Sequence, residues 1–321
     1  MCASRQPVGS LYVIGGAEDK LKRRTVLRHF VAACGDHSAH IAVIPTASSL
    51  GPEIVEIYSA LFEHLGAAKV NAIRPESRQE ADDPALAARL HDVTGIFMTG
   101  GNQLKLSAII NGTLFGEAIR AAHRRGVTIG GTSAGASIQS SHMVALGPGG
   151  STPKQRMTQL ASGLGLLHGC VIDQHFAQRN RYGRLLMLVA QSPDLLGIGV
   201  DEDTAAVVTD GHRVEVIGKG AVTIIDGEHM TSTAHDAKRT EPLMISNARL
   251  HVLPAGARFD LVTRGLVAVG TRTDPAEETE LREAGADLRR LAHDIAAEGV
   301  SSTSLTRSRR GGGHDLEDDS R

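Results

Sequence analysis

The chain has 321 residues, of which 41% are hydrophobic and 22% charged, enough to bury a full core and ordinary for a globular protein. A formal net charge of −2 offers no global field for nucleic acid or an anionic membrane. The absence of tryptophan and an aromatic content of 3% remove the stacking surface that single-stranded nucleic acid needs.

The first ten residues hold no apolar run of the signal-peptide kind, and the apolar segments elsewhere are too short to span a bilayer. Three cysteines, Cys2, Cys34 and Cys170, lack metal-type spacing and are expected to be buried free thiols in a reducing compartment. The cytoplasm is the expected location.

In chain order, residues 10–14 form a β-rich run ending at Gly15-Gly16, and residues 21–34 carry apolar residues at helical spacing. A second strand is expected over 41–44, closed by Pro45, then a helix from Pro52 to about Leu65 with Gly66 beyond its end. Residues 70–73 and 94–98 read as strands, the latter stopped by Gly100-Gly101. Helices are expected over 103–110 and 114–124, and 127–129 is a short, uncharged fifth strand.

Beyond Gly197 the texture changes to alternating β residues at 205–209, 213–217, 221–225 and 248–253, with Asp210-Gly211 and Asp226-Gly227 as turns. Strand-helix alternation predicts an α/β fold with a mainly parallel sheet between helical layers and ligands at the carboxyl ends of its strands. The later strands predict an antiparallel extension of that sheet or a small meander on it. Residues 1–273 thus read as one domain. Residues 274–321 are an extension, with one amphipathic helix to about Glu298 and a polar tail expected to be disordered.

Gly131-Thr132-Ser133-Ala134-Gly135 matches G-x-S-x-G, with a predicted strand before it and a small-residue helix start after it. A strained strand-to-helix turn lifts the serine hydroxyl out of the sheet, which makes Ser133 the candidate nucleophile. Ala134 would supply one oxyanion amide from the helix start, and the loop Thr99-Gly-Gly-Asn-Gln103 the second.

Among fifteen histidines, His175 stands out within the β-like run Val171-Ile-Asp-Gln-His-Phe176. It is the candidate general base. Asp201, Glu202 and Asp203 all qualify as the acid that orients it. No H-E-x-x-H helix or Cys/His cluster with zinc spacing occurs, so neither a metal nor another cofactor is expected.

These motifs, in this order, resemble the cyanophycinases, within the group of serine exopeptidases that also contains aspartyl dipeptidase. The resemblance spans about residues 10–265. It rests on Ile14-Gly-Gly-Ala-Glu-Asp-Lys20, Pro45-Thr-Ala-Ser48, Thr99-Gly-Gly-Asn-Gln103, Gly130-Gly-Thr-Ser-Ala-Gly-Ala136 and Gly163-Leu-Gly-Leu-Leu167. Further along it includes Asp173-Gln-His-Phe176, Arg179 with Arg181 and Arg184, Gly199-Val-Asp-Glu202 and Arg258-Phe-Asp-Leu261. Threonine before the serine looks like cyanophycinase, whereas aspartyl dipeptidases usually carry tryptophan there. Asn102 departs from the family's usual aspartate.

The resemblance implies a three-layer sandwich like the class I glutamine amidotransferases, a Ser133–His175–Glu202 triad, and Gly101 with Ala134 as the oxyanion hole. It implies hydrolysis of cyanophycin, a poly-aspartate bearing arginine on each β-carboxyl, to β-aspartyl-arginine dipeptides. Substrate carboxylates would then meet Arg179, Arg181 and Arg184, and the substrate's arginine Asp173, Gln174 and Gln103. A homodimer is the family's expected assembly. Two alternatives stay open: an exopeptidase for short aspartyl peptides or another isopeptide, and a catalytically silent amidotransferase-like scaffold.

Overall fold

The computed structural model describes residues 8–238 and 240–269. The expected helix within 274–298, the tail from 301 and Cys2 lie outside the described residues.

The first half alternates strands and helices. These are β1 (Leu11–Ile14), α1 (Thr25–Ala33), β2 (His40–Ile44), α2 (Glu53–His64), β3 (Lys69–Ala72), α3 (Arg78–Ala81) and α4 (Pro84–Ala88). Then come β4 (Gly95–Met98), α5 (Gln103–Ile110), α6 (Leu114–Arg124), β5 (Thr128–Thr132) and α7 (Ala134–Ser137). The second half is β-rich: β6 (Ser140–Leu146), β7 (Gln159–Ser162), β8 (Leu167–Gln174), α8 (Tyr182–Gln191), β9 (Leu196–Val200), β10 (Thr204–Thr209), β11 (Arg213–Gly218) and β12 (Ala221–Asp226). It closes with β13 (Thr231–Ser232), β14 (Ile245–Ser246), β15 (Arg249–Pro254), β16 (Arg258–Asp260) and β17 (Gly265–Ala268).

A nine-stranded sheet runs β17-β16-β11-β10-β1-β5-β4-β2-β3. Its five strands from β1 to β3 are mutually parallel, and β10, β11, β16 and β17 continue it antiparallel. The side-chain period of two places Tyr12 and Ile14 against α1 and α2, with an aromatic cluster of Phe30, Tyr58, Phe62 and Phe97. Leu11 and Val13 face the opposite core with residues of α5, α6 and α7. Both faces are covered, as the uncharged β1 and β4 demand.

A six-stranded sheet, β15-β12-β9-β8-β6-β7, forms a second layer. Its strands β6, β8 and β9 are parallel. Ile172, Ile198 and Ile224 join the core shared with the first sheet, while Val171 and Ile225 pack with α8. The expected antiparallel extension is therefore divided: β10 and β11 extend the first sheet, and β12 and β15 belong to the second. Helix α1 begins at Thr25, later than its apolar spacing predicts. The Asp19 carboxylate accepts the amides of Leu21, Lys22, Arg23 and Arg24 and holds that segment in a turn. Cys34 and Cys170 are buried free thiols. Among the described residues no helix is long and apolar enough to cross a membrane.

Candidate active site

Strand β5 ends at Thr132 and α7 begins at Ala134, so Ser133 is the whole of the turn between them. Its backbone sits at φ 52, ψ −106, a conformation that costs a non-glycine residue about 1–3 kcal/mol. Neighbouring bonds hold it there: the Ser133 amide donates to the Ile14 carbonyl (3.0 Å), and the Ala136 and Ser137 amides donate to the Ser133 carbonyl. Only glycine fits at 135, because a Cβ there would stand 2.1 Å from the Met98 carbonyl oxygen.

His175 follows β8 and is itself at φ 48. Its amide donates to the Gly15 carbonyl (2.8 Å), which fastens the residue across the carboxyl ends of the two sheets. Nε2 lies 3.0 Å from Ser133 Oγ, and Nδ1 lies 2.6 Å from Glu202 Oε1. A neutral imidazole with its proton on Nδ1 donates to Glu202 and accepts from the serine hydroxyl, the arrangement in which a histidine can act as base toward a serine. Burial lowers the His175 pKa, aided by Arg179 and Arg181, and outweighs the opposing pull of Glu202. The resting ring is thereby kept neutral near pH 7.

Of the three acids the sequence left open, only Glu202 reaches the imidazole. Asp201 accepts the amides of Ala177 and Ala221 (both 3.1 Å). Asp203 accepts the Asp19 amide (2.8 Å) and faces Lys219. Both close turns around the site. Glu202 is itself positioned by Gln178, whose Oε1 accepts its amide (3.0 Å), a contact that sequence reasoning missed.

Ala134 is the first residue of α7, where an amide has no intrahelical acceptor. The Gly100-Gly101 loop lies alongside: a Cβ on Gly100 would be 3.4 Å from that of Ser133. Asn102 caps α5, its side chain accepting from the Leu104 and Lys105 amides. Asparagine serves this role as well as the family's aspartate. Gln103 donates its side-chain amide to the Val144 and Ala145 carbonyls, which ties this loop to β6.

The basic residues divide. Arg179 is exposed on the loop after His175, and among the described residues it has no carboxylate partner. Arg181 and Arg184 are buried. Arg184 grips Asp173 through Nε (2.6 Å) and Nη2 and reaches the Gly147 carbonyl through Nη1 (2.7 Å). Arg181 Nη1 donates to Asp173 (3.1 Å), to the Gln174 carbonyl and to Gln174 Oε1. Asp173 is fully buried with both oxygens taken, and Gln174 is engaged as well. Asp173 and Gln174, expected to receive the substrate's arginine, and Arg184, expected to meet a substrate carboxylate, thus bond within the protein to one another and to Arg181. These side chains form an internal cluster that braces the wall of the site. Among the described residues no group of three or more His, Cys, Asp or Glu is placed to hold a metal.

Residues 11–217 match the model of peptidase family S51. Over 257 residues the chain is 43% identical to the cyanophycinase of Trichormus variabilis, covering 79% of this chain and 86% of that one. Over 256 residues it is 41% identical to the cyanophycinase of Geminocystis herdmanii, covering 79% and 94%. In fold it is similar to the crystal structure of a peptidase from an acI-B1 Actinobacterium, with a TM-score of 0.59, 21% identity, and coverage of 80% of this chain and 98% of that one.

Proposed function

Since the chain belongs to peptidase family S51, we propose that it is a cyanophycin-degrading serine peptidase working through Ser133, His175 and Glu202. The observation that carries this reading is the continuous contact from Ser133 Oγ to His175 Nε2 (3.0 Å) and from His175 Nδ1 to Glu202 Oε1 (2.6 Å).

In this account His175 Nε2 takes the Ser133 proton as Oγ attacks a backbone carbonyl carbon of the polymer. Glu202 holds the productive tautomer and stabilises the imidazolium that forms. The Ala134 and Gly101 amides receive the oxyanion. Collapse of the tetrahedral intermediate expels the amine, which leaves with the proton from His175. Water, deprotonated by the same ring, then hydrolyses the acyl-enzyme and frees the second product.

Arg179, exposed beside the base, is the cation assigned to a substrate carboxylate, with Arg181 behind it. Gln103 opens α5 next to the Gly100-Gly101 loop, and its amide oxygen is the acceptor assigned to the substrate guanidinium. The reducing cytoplasm is the proposed setting, in keeping with the buried thiols Cys34 and Cys170, and a homodimer is the proposed assembly.

The test compares purified cyanophycin with α-aspartyl dipeptides under the same conditions. Release of β-aspartyl-arginine from the polymer with little turnover of the dipeptides is expected. Efficient turnover of the dipeptides with the polymer left intact would reassign the substrate.

A further inference from the structure

The reaction as derived makes no use of Glu18, although its carboxylate is nearly inaccessible and lies beneath the Ser133 turn. It belongs to the Gly15-Gly-Ala-Glu-Asp-Lys20 segment that follows β1. Its Oε2 accepts from Thr132 Oγ1 at 2.5 Å. Its Oε1 accepts from Tyr58 OH at 2.5 Å and from Lys20 Nζ at 2.7 Å. The Lys20 ammonium, partly exposed, also stands 5.3 Å from the centre of the Tyr58 ring. Burial pushes the Glu18 pKa up, but Lys20 and the three hydrogen bonds outweigh it and hold the group below the ordinary carboxylate range.

A buried carboxylate is a weak way to gain stability, because desolvation cancels much of the attraction to its partner. What this one does gain is directional control, with Oε2 given to Thr132 while Tyr58 and Lys20 hold Oε1. Thr132 is joined by a peptide bond to Ser133, the residue whose backbone is held at φ 52. The Ser133 amide is tied to Ile14 at the end of the same strand from which the Glu18 segment departs. Oxygen atoms of both Ile14 and Glu18 therefore fix the two residues that enter the turn.

We propose that Glu18 is a positioning residue for the nucleophile, acting through the Thr132 hydroxyl, with Lys20 as its counter-charge and Tyr58 fixing its rotamer. The inference rests on the reading of Ser133 as the nucleophile. It also gives threonine at 132 a specific purpose: it carries the hydroxyl that links a buried charge to the turn.

Glu18→Gln removes the buried charge that Lys20 pairs with, so lost activity alone would not separate misfolding from misplacement. Thr132→Val and Thr132→Ser do separate them. Valine keeps the shape and removes the hydroxyl, whereas serine keeps the hydroxyl. kcat and KM on cyanophycin are measured well below the melting temperature of each variant, beside the wild type and Ser133→Ala. The expected result is a fall in kcat of about 10- to 100-fold for Thr132→Val with KM nearly unchanged, and recovery in Thr132→Ser to within a few-fold of wild type.

A Thr132→Val enzyme with wild-type kcat, whatever its melting temperature, would overturn the proposal while leaving the function intact. Equal losses in the valine and serine variants would overturn it too, because the hydroxyl would then be irrelevant. Wild-type turnover by Ser133→Ala would instead remove the underlying reading of the nucleophile.

Discussion

Gly16 and His175 stand so close that a methyl group on Gly16 would overlap the imidazole, 2.3 Å from Cε1 and 2.5 Å from Nε2. Gly16 also has φ 103, so an alanine there would be strained as well as crowded. The glycine pair after β1 thus makes room for the proposed base. Gly16→Ala is expected to displace the ring and to lower kcat on cyanophycin about 100-fold or more, with a smaller effect on melting temperature. Wild-type kcat in this variant would mean that His175 is not held where its contacts place it.

The acid limb of the pH profile follows from the direction of the His175 shift. Burial favours the neutral ring, so its pKa lies below the ordinary value of about 6.5. Only neutral His175 can accept the Ser133 proton, and protonation grows as pH falls. The rate kcat/KM should therefore hold through neutral pH and decline only below about 6.5, with a slope of one proton. A decline already complete at pH 7 would require a raised histidine and contradict the burial argument.

Glu202→Gln should reduce kcat by about 10⁴-fold with little change in KM, since an amide at Nδ1 permits the wrong tautomer. Asp201→Asn and Asp203→Asn should cost far less activity, because those carboxylates bond backbone amides and Lys219 rather than the imidazole. Steady-state kinetics of the three variants decide the matter. A larger kinetic loss at Asp201 or Asp203 would reassign the acid.

Much of the first sheet was legible in the sequence because β1, β4 and all of β2 after His40 are short apolar runs with glycine or proline within two residues of their ends. The second sheet was harder to see. Its strand β9 reads Leu-Gly-Ile-Gly-Val, and glycine normally argues against a strand interior. Here a Cβ on Gly199 would lie 2.4 Å from the Phe176 ring, so tertiary packing demands the residue that local propensity disfavours. The division of the late strands was hidden for another reason: β10 pairs with β1, almost two hundred residues earlier, and nothing in local alternation encodes that partner.

At the site, the turn motif singled out Ser133 and the β-like run 171–176 singled out His175, two side chains that the fold brings to 3.0 Å, while the choice among Asp201, Glu202 and Asp203 rested on the family resemblance. The contacts of Asp173 were not legible locally because its partners arrive by folding back, from eight and eleven residues further along.

Asp173 supplies both oxygens to two buried arginines, so its removal strands their charge. Asp173→Ala should destabilise the protein by about 3–5 kcal/mol, read as a marked fall in denaturant midpoint with unchanged slope. An unchanged midpoint would show that the cluster is solvated or can rearrange at little cost.

If Ser133 performs the nucleophilic attack on cyanophycin, the polymer must survive its removal. The most direct test is incubation of the wild type and of Ser133→Ala with the purified polymer, followed by mass analysis of the products. The wild type is expected to release β-aspartyl-arginine, and the folded variant to do so at a rate at least about 1000-fold lower. A Ser133→Ala enzyme that keeps a tenth of wild-type activity would contradict nucleophilic attack by Ser133.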